Sequence, residues 1–291
     1  MQKHSFAGLL AGLAAASIWG GMYVVSKVVL DVIPPFSLLT TRLVLGAISL
    51  GIVMAFRKKV TLTRQQIIQS FLVGFVGYGI SLAFQFVGTK LSTASNGSLV
   101  TSATPAFVLI FAPFLLAERT TPRRIIALLI STLGVVAVID PRNAELSPSL
   151  IWGNLSLLAA ALTWALYSVL VRKVTRGTDL LASSAIMLTG GIPSSLLFGL
   201  LEWKAQGFGE ITLGIIGGIL FLGIISTAIA MFLWNYAFAE LPAAVASLTF
   251  FAQPVVGTIL GALFLVVTIS ILCMIGGVLI GVGLIIANSG S

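Results

Sequence analysis

The stretch LSTASNGSLVTSATPAFVLIFAPFLLAERTTPRRIIALLISTLGVV, from Leu91 to Val136, decides how the whole chain is read. Two apolar runs, beginning at Ala94 and Pro122, flank a short charged hairpin holding Glu118 and Arg119, with Arg123 and Arg124 just beyond it. Each run approaches the ~20 residues a helix needs to cross the hydrocarbon core of a bilayer. A second version of the passage, LPAAVASLTFFAQPVVGTILGALFL, runs from Leu241 to Leu265. Leu91 with Ala94 matches Leu241 with Ala244, and Pro105 and Gly134 match Pro254 and Gly283, 149 positions later.

Working outward, the same kind of run recurs along all 291 residues, which are 58% apolar and 8% charged, with mean hydropathy +1.13. A soluble domain carries about 25% charged residues, so a water-exposed globule is excluded. Ten runs read as spans: Phe6 to Leu30, Pro35 to Phe56, Ile67 to Gly88, Ala94 to Ala117, Pro122 to Ile139, Leu150 to Val171, Leu180 to Leu201, Leu213 to Phe238, Ala243 to Val266 and Thr268 to Ala287. The first is too long for a signal peptide and has no convincing cleavage site after it, so it reads as a retained helix.

Ten crossings place both termini on one side, and the bias of Lys and Arg in short loops says which. The terminal side holds Lys3, Arg57, Lys58, Lys59, Arg64, Arg119, Arg123, Arg124, Arg172, Lys173 and Arg176; the other holds Lys90, Arg142 and Lys204. This predicts that the N- and C-termini are both cytoplasmic. The net charge of +8 then belongs to cytoplasmic loops beside an anionic leaflet. Nucleic-acid binding would need a clustered basic face on a soluble module. The lone Cys273 cannot form a disulfide within the chain, and the single histidine, His4, sits at the terminus; no metal site and no cofactor are expected.

The repeat extends beyond the opening stretch. Ala14 to Ala16 followed by Trp19 matches Ala159 to Ala161 followed by Trp164, 145 positions later, and Lys27 falls on Arg172. Residues 1–145 and 146–291 therefore read as one five-helix unit written twice. Five is odd, so the copies enter the membrane from opposite faces. The hairpin from Glu118 to Arg124 is charged, whereas its counterpart from Leu265 to Ile269 carries no charge, as opposite faces require. Inverted repeats of this kind are characteristic of secondary transporters, with the substrate site near the midplane between the halves.

Ala16 to Gly20 (ASIWG), Thr41-Arg42, the Leu91–Val136 stretch and its second version from Leu241 resemble the EamA type of the drug/metabolite transporter superfamily, and within it the bacterial aromatic amino acid exporters. The resemblance covers essentially the whole chain. It implies an all-α polytopic membrane protein whose ten transmembrane helices form two inverted five-helix repeats around a central cavity, lined mainly by helices one, three, four, six, eight and nine. It also implies transport of small polar or amphipathic metabolites, often outward. The pair Glu118-Arg119 is replaced by Val267-Thr268 in the second half, which puts in doubt any role requiring a carboxylate in both halves.

Candidate substrate-binding residues follow from residue type and helical spacing. Tyr78, Ser81 and Gln85 recur at i, i+3 and i+7, which in an α-helix is one face. Ser95, Ser98 and Ser102 precede Pro105, whose missing N–H frees a backbone carbonyl to face a cavity. Trp19 with Tyr23 and Ser26, Trp164 with Tyr167 and Ser168, Thr227 and Trp234 with Asn235, and Phe250 with Gln253 give the other four helices a polar and aromatic stripe. Of these, Trp19, Tyr78, Gln85, Ser98, Ser102, Trp164, Asn235 and Gln253 are the chosen binding residues. Arg42 is either a partner for a substrate carboxylate or a polar contact between helices; Lys27 can attract a carboxylate or snorkel to the outer interface. Aromatic walls with hydroxyl and amide groups suit an apolar side chain joined to a polar head, such as a large apolar or aromatic amino acid.

All eight acids lie in loops or at helix ends, so a proton relay at membrane depth is not expected and transport is expected to run without strict proton coupling. A carboxylate at a span end, such as Glu118, keeps a proton-coupled exporter open as an alternative. A sugar-nucleotide or phosphate-ester antiporter would want several deep cations, and only Arg42 is deep. A channel would show a charged or carbonyl ring. An intramembrane enzyme has only a Ser/Lys pair through Lys27 to draw on, and the chain is read as a non-enzyme. The glycine pairs Gly8/Gly12, Gly214/Gly218, Gly257/Gly261 and Gly277/Gly281 have the spacing of close helix packing. The last helix could pack within the monomer or form a dimer face, so the oligomeric state stays open.

Overall fold

The computed structural model describes residues 3–57, 60–92, 94–139, 148–265 and 271–288. Asp140, Arg142, Glu145, Val267 and Thr268 lie outside the described residues, as do the side chains of His4, Tyr23, Lys27, Ser95, Ser98 and Cys273. Among the described residues every regular element is helical.

We number the rods in chain order: α1 Lys3–Leu30, α2 Pro35–Ala55, α3 Arg64–Leu91, α4 in two pieces Ala94–Thr101 and Thr104–Leu116, and α5 Pro122–Ile139. The chain continues with α6 Ile151–Val174, α7 Leu180–Gln206, α8 Leu213–Glu240, α9 from Ala243–Leu248 through a 3₁₀ turn to Ala252–Leu265, and α10 Ile271–Asn288. Among the described residues, seven helices are long and apolar enough to cross a membrane, those of α2, α3, α4, α6, α7, α8 and α9; α1 and α10 contain shorter apolar stretches. Large apolar side chains such as Phe114, Leu213 and Val278 point outward, the opposite of a soluble protein and what a lipid solvent favours.

Local chemistry starts these helices where the sequence changes character. The Thr63 hydroxyl and the Gln66 amide form a reciprocal capping box at the start of α3. Asp179 caps α7 by accepting from Ala182 N at 2.9 Å and meets Arg57 at 3.4 Å. The first turn of α2 is covered from another helix: Glu202, late in α7, accepts from Phe36 N at 2.8 Å and Ser37 N at 3.2 Å. A carboxylate there satisfies orphan amides and is attracted by the positive end of the helix dipole.

Backbone approach decides the packing. The α5–α10 pair crosses where Gly134 faces the Gly276 carbonyl, and Gly283 faces Ser131 and the Ala127 carbonyl. Gly20 of α1 lies against the backbone of α9 at Gln253 and Gly257. The expected glycine pairs are only partly used in this way. Gly8 and Gly12 meet the α8–α9 junction and Thr249, whereas Gly281 faces open space and Gly277 has only an ordinary contact with Val255. The tight contact of α10 runs through Gly276 and Gly283, because those two lie on the face turned to α5.

Two helices contain wider, underwound turns. Phe75–Ser81 in α3 and Phe221–Ile229 in α8 are π-helical, a conformation rarely longer than one turn and frequent at functional sites. Helix α4 breaks at Thr101–Thr104 and α9 at Thr249–Phe251, each just before its proline. The carbonyl that Pro105 leaves without a helical donor is that of Thr101. It accepts from the Thr104 hydroxyl at 2.8 Å, so a neighbouring side chain takes the place expected for the cavity.

Candidate functional site

Three indoles meet at the centre of the bundle. Trp19 lies edge-on to Trp164 with ring centroids 5.6 Å apart, and 5.3 Å from Trp234. Trp164 and Trp234 stack at 6.4 Å, and Phe250 packs on Trp19 at 6.2 Å and Trp234 at 5.6 Å. Such pairs add about 0.5–1.5 kcal/mol beyond their burial, so the group is a rigid floor rather than a loose lining.

Above the floor is a narrow cleft, open at its mouth, bounded by α1, α3, α4, α6, α8 and α9. Trp19, Gln85, Trp164 and Gln253 line it, together with Met22, Ser81, Thr101, Thr104, Met231 and Phe250. No ionisable side chain is among the described lining residues. By position along the helices, Trp234 and Phe250 lie toward the end where α8 meets α9. Gln85 and Thr101 lie toward the opposite end, where Ser92 bonds Asn154 at 2.7 Å.

The remaining chosen residues are elsewhere. Tyr78 is wholly buried and turned to α6: its hydroxyl pairs with that of Tyr167, which donates to Asn235 Oδ1 at 2.6 Å. Asn235 in turn donates to Ser184 Oγ at 3.1 Å. The π-turn departs from the α-helical angle per residue on which the expected Tyr78–Ser81–Gln85 face is drawn, and Ser81 and Gln85 line the cavity while Tyr78 turns to α6. Asn235 belongs to the same buried chain and does not reach the cavity lining. Ser102 is buried beside the lining residues Thr101 and Thr104 but is not one of them. Ser98 falls outside the described side chains.

Arg42 is 1% exposed and also stands behind the wall. Its Nε donates to Thr227 Oγ1 at 3.1 Å, Nη2 reaches Ser226 Oγ at 3.4 Å and Met22 Sδ at 3.5 Å, and the guanidinium sits 5.3 Å from the centre of the Phe86 ring. Of the two roles open to it, these contacts are those of a link between helices. The π-turn of α8 serves this link, offering Ser226 and Thr227 hydroxyls to Arg42 and the Ser226 carbonyl to Trp19 Nε1 at 3.0 Å.

At the α8–α9 end, Glu118 binds Arg172 Nε at 2.5 Å and accepts from Ala243 N at 2.9 Å. Arg172 also donates to the carbonyls of Phe238 and Ala239. One carboxylate thus ties the end of α4 to α6 and to the α8–α9 junction.

Sequence reasoning missed Met22, Leu82, Thr101, Thr104 and Met231 as wall residues. For the two threonines a signal existed: Thr104 immediately precedes the helix-breaking Pro105 and Thr101 lies one turn before it. For Met22, Leu82 and Met231 there was none, since an apolar residue in an apolar helix carries no label.

The pattern of the EamA-like transporter family matches residues 6–139 and again 151–289. The chain belongs to that family. This EamA-like transporter is 28% identical over 276 residues to a protein described as uncharacterized transporter YyaM of Bacillus subtilis (strain 168), covering 92% of this chain and 89% of that one. It is 26% identical to the uncharacterized transporter YoaV of the same organism, covering 95% and 94%. A more distant relative is the aromatic amino acid exporter YddG of Ancylobacter novellus, 25% identical with 86% of each chain covered. A crystal structure of a protein 21% identical superposes with a TM-score of 0.81 over 96% of both chains, a likeness of fold. The EamA-like chain is therefore a polytopic membrane transporter that acts on small molecules in a lipid bilayer.

Proposed function

We propose that the chain exports amino acids, aromatic or large and apolar, and related amphipathic metabolites across the bacterial inner membrane by alternating access without strict proton coupling. The observation that carries this reading is the central space floored by Trp19, Trp164 and Phe250 and edged by the Gln85 and Gln253 amides, with no ionisable group among its described lining residues. An apolar ring fits the floor, and a zwitterionic head fits neutral polar groups. The relative described as an aromatic amino acid exporter supports the same substrate class.

The proposed architecture is ten transmembrane helices in two inverted repeats, residues 1–145 and 146–291, with cytoplasmic termini. Two family matches, one per half, support it. So does the pairing of helices: a shift of 149 converts Gly134 against Gly276 and Ile280 into Gly283 against Ala127 and Ser131, and both sets of contacts are present. Trp19 and Trp164, equivalent in the two halves, meet each other, as residues beside a two-fold axis would.

The binding residues in this reading are Trp19, Gln85, Trp164 and Gln253, with Tyr78 packed on Trp164 and Asn235 bonded to its neighbour Tyr167, Ser102 and Ser98 contributed by α4, and Arg42 supporting Met22. Counterflow tests it: purified protein in liposomes preloaded with unlabelled phenylalanine should accelerate labelled phenylalanine uptake, with and without a proton ionophore. Absence of acceleration removes the carrier reading for this substrate, and arrest by the ionophore restores the proton-coupled alternative.

A further inference from the structure

Three tryptophans meet at or beneath the floor, and two satisfy their ring N–H within the protein: Trp19 Nε1 donates to Ser226 O and Trp234 Nε1 to Ser168 Oγ, each at 3.0 Å. Trp164 is 7% exposed, lines the cavity, and its Nε1 has no hydrogen-bond partner among the described residues. Across the same cavity Gln253, 3% exposed, has an Oε1 in the same condition. Buried polar atoms are nearly always paired, because leaving one unpaired costs about 1–3 kcal/mol. Neither atom is open to water in the space as it stands, but both belong to residues that line it, so a ligand that enters as the space widens and carries the complementary acceptor and donor would pair both.

We infer that Trp164 Nε1 and Gln253 Oε1 read the two ends of a zwitterionic head group, the indole N–H donating to a substrate carboxylate and the amide oxygen accepting from its ammonium. This deepens the proposed function and rests on it. The surrounding structure fits the assignment: Trp164 is held by Tyr167 at 4.8 Å and Tyr78 at 6.2 Å between ring centroids, so its N–H has a fixed direction. With no ionisable group on the described walls, the contacts favour a substrate of zero net charge. A compound lacking either head group leaves one of the two atoms unpaired and is rejected for that reason.

The test titrates phenylalanine, phenethylamine (no carboxylate) and phenylpropionate (no ammonium) as competitors of labelled phenylalanine counterflow in liposomes, so weak ligands still give a half-inhibition concentration. Trp164→Phe keeps an aromatic ring and removes the N–H; Gln253→Leu keeps the bulk and removes the acceptor. Trp164→Phe should weaken phenylalanine and phenylpropionate roughly tenfold or more and leave phenethylamine within twofold. Gln253→Leu should weaken phenylalanine and phenethylamine and spare phenylpropionate. Each variant decides its own contact, so one that fails to fold leaves the other decisive. Equal losses for all three compounds, or none, overturn the inference while the transport reading stands; a wild type that ignores all three overturns that reading itself.

Discussion

Tyr167 has more to hold than its own ring. Its hydroxyl joins Tyr78 to Asn235 at full burial, so Tyr167→Phe strands a phenol on one side and an amide oxygen on the other. Each stranded group costs about 1–3 kcal/mol. The expected outcome is a clear fall in thermal midpoint in detergent, with transport of phenylalanine reduced by less than the Trp164 variant reduces it. Arg42→Met should behave similarly. It loses the bonds to Thr227 and Ser226, worth about 1–3 kcal/mol together, while half-saturation for phenylalanine stays within twofold. Loss of binding in a well-folded Arg42 variant would move the guanidinium into the site. At this scale the sequence was legible only in part. Trp19, Trp164 and Gln253 announce themselves as polar or aromatic groups at mid-span, and Gln85 as an amide within an apolar run. Tyr78 and Asn235 have the same character yet spend it on each other, and nothing in their spacing separates the two outcomes.

Helix boundaries were far easier to read, because proline, charge and capping residues interrupt the apolar text: Pro35, Thr63, Pro122 and Asp179 each stand at or just before a helix start. The π-turns were not legible, since Phe75–Ser81 and Phe221–Ile229 contain no residue foreign to an α-helix and arise from packing. Glycine spacing misled for a related reason. Four-residue intervals mark any one face of a helix, and which face meets a neighbour is settled by the whole bundle. Two substitutions on α10 separate the cases. Gly276→Val drives a branched side chain into Gly134 and Val138 and should destabilise by about 1–3 kcal/mol, as overpacked cores do. Gly281→Ala meets open space and should be neutral or raise the thermal midpoint, since Ala is favoured over Gly in a helix by about 0.5–1 kcal/mol.

For the molecule as a whole, the reading that remains to be tested is the antiparallel relation of the halves. Single cysteines at Arg123 and Val267, labelled with an impermeant thiol reagent in intact cells and in inverted vesicles, should react from opposite faces, with Cys273 replaced beforehand. Labelling of both from one face would dissolve the repeat. The junction built on Glu118 gives a second measurement at this scale. Glu118→Gln removes the charge that meets Arg172, so the α8–α9 end should open more often, and a cysteine at Phe250 should be modified faster than in the parent protein by a reagent supplied from the face on which the α8–α9 junction lies. An unchanged rate would mean that the backbone bonds of Arg172 suffice.

The bare electrical character of the cavity has one last consequence. If a zwitterion enters a chamber whose described walls bear no formal charge, the loaded and empty carriers differ by nothing that the transmembrane field can pull on. Moving one elementary charge through 100 mV is worth about 2.3 kcal/mol, and this cycle would forgo that push. Its direction would follow the solute ratio alone, making the protein a relief valve that empties a crowded cytoplasm and idles when the two sides are level.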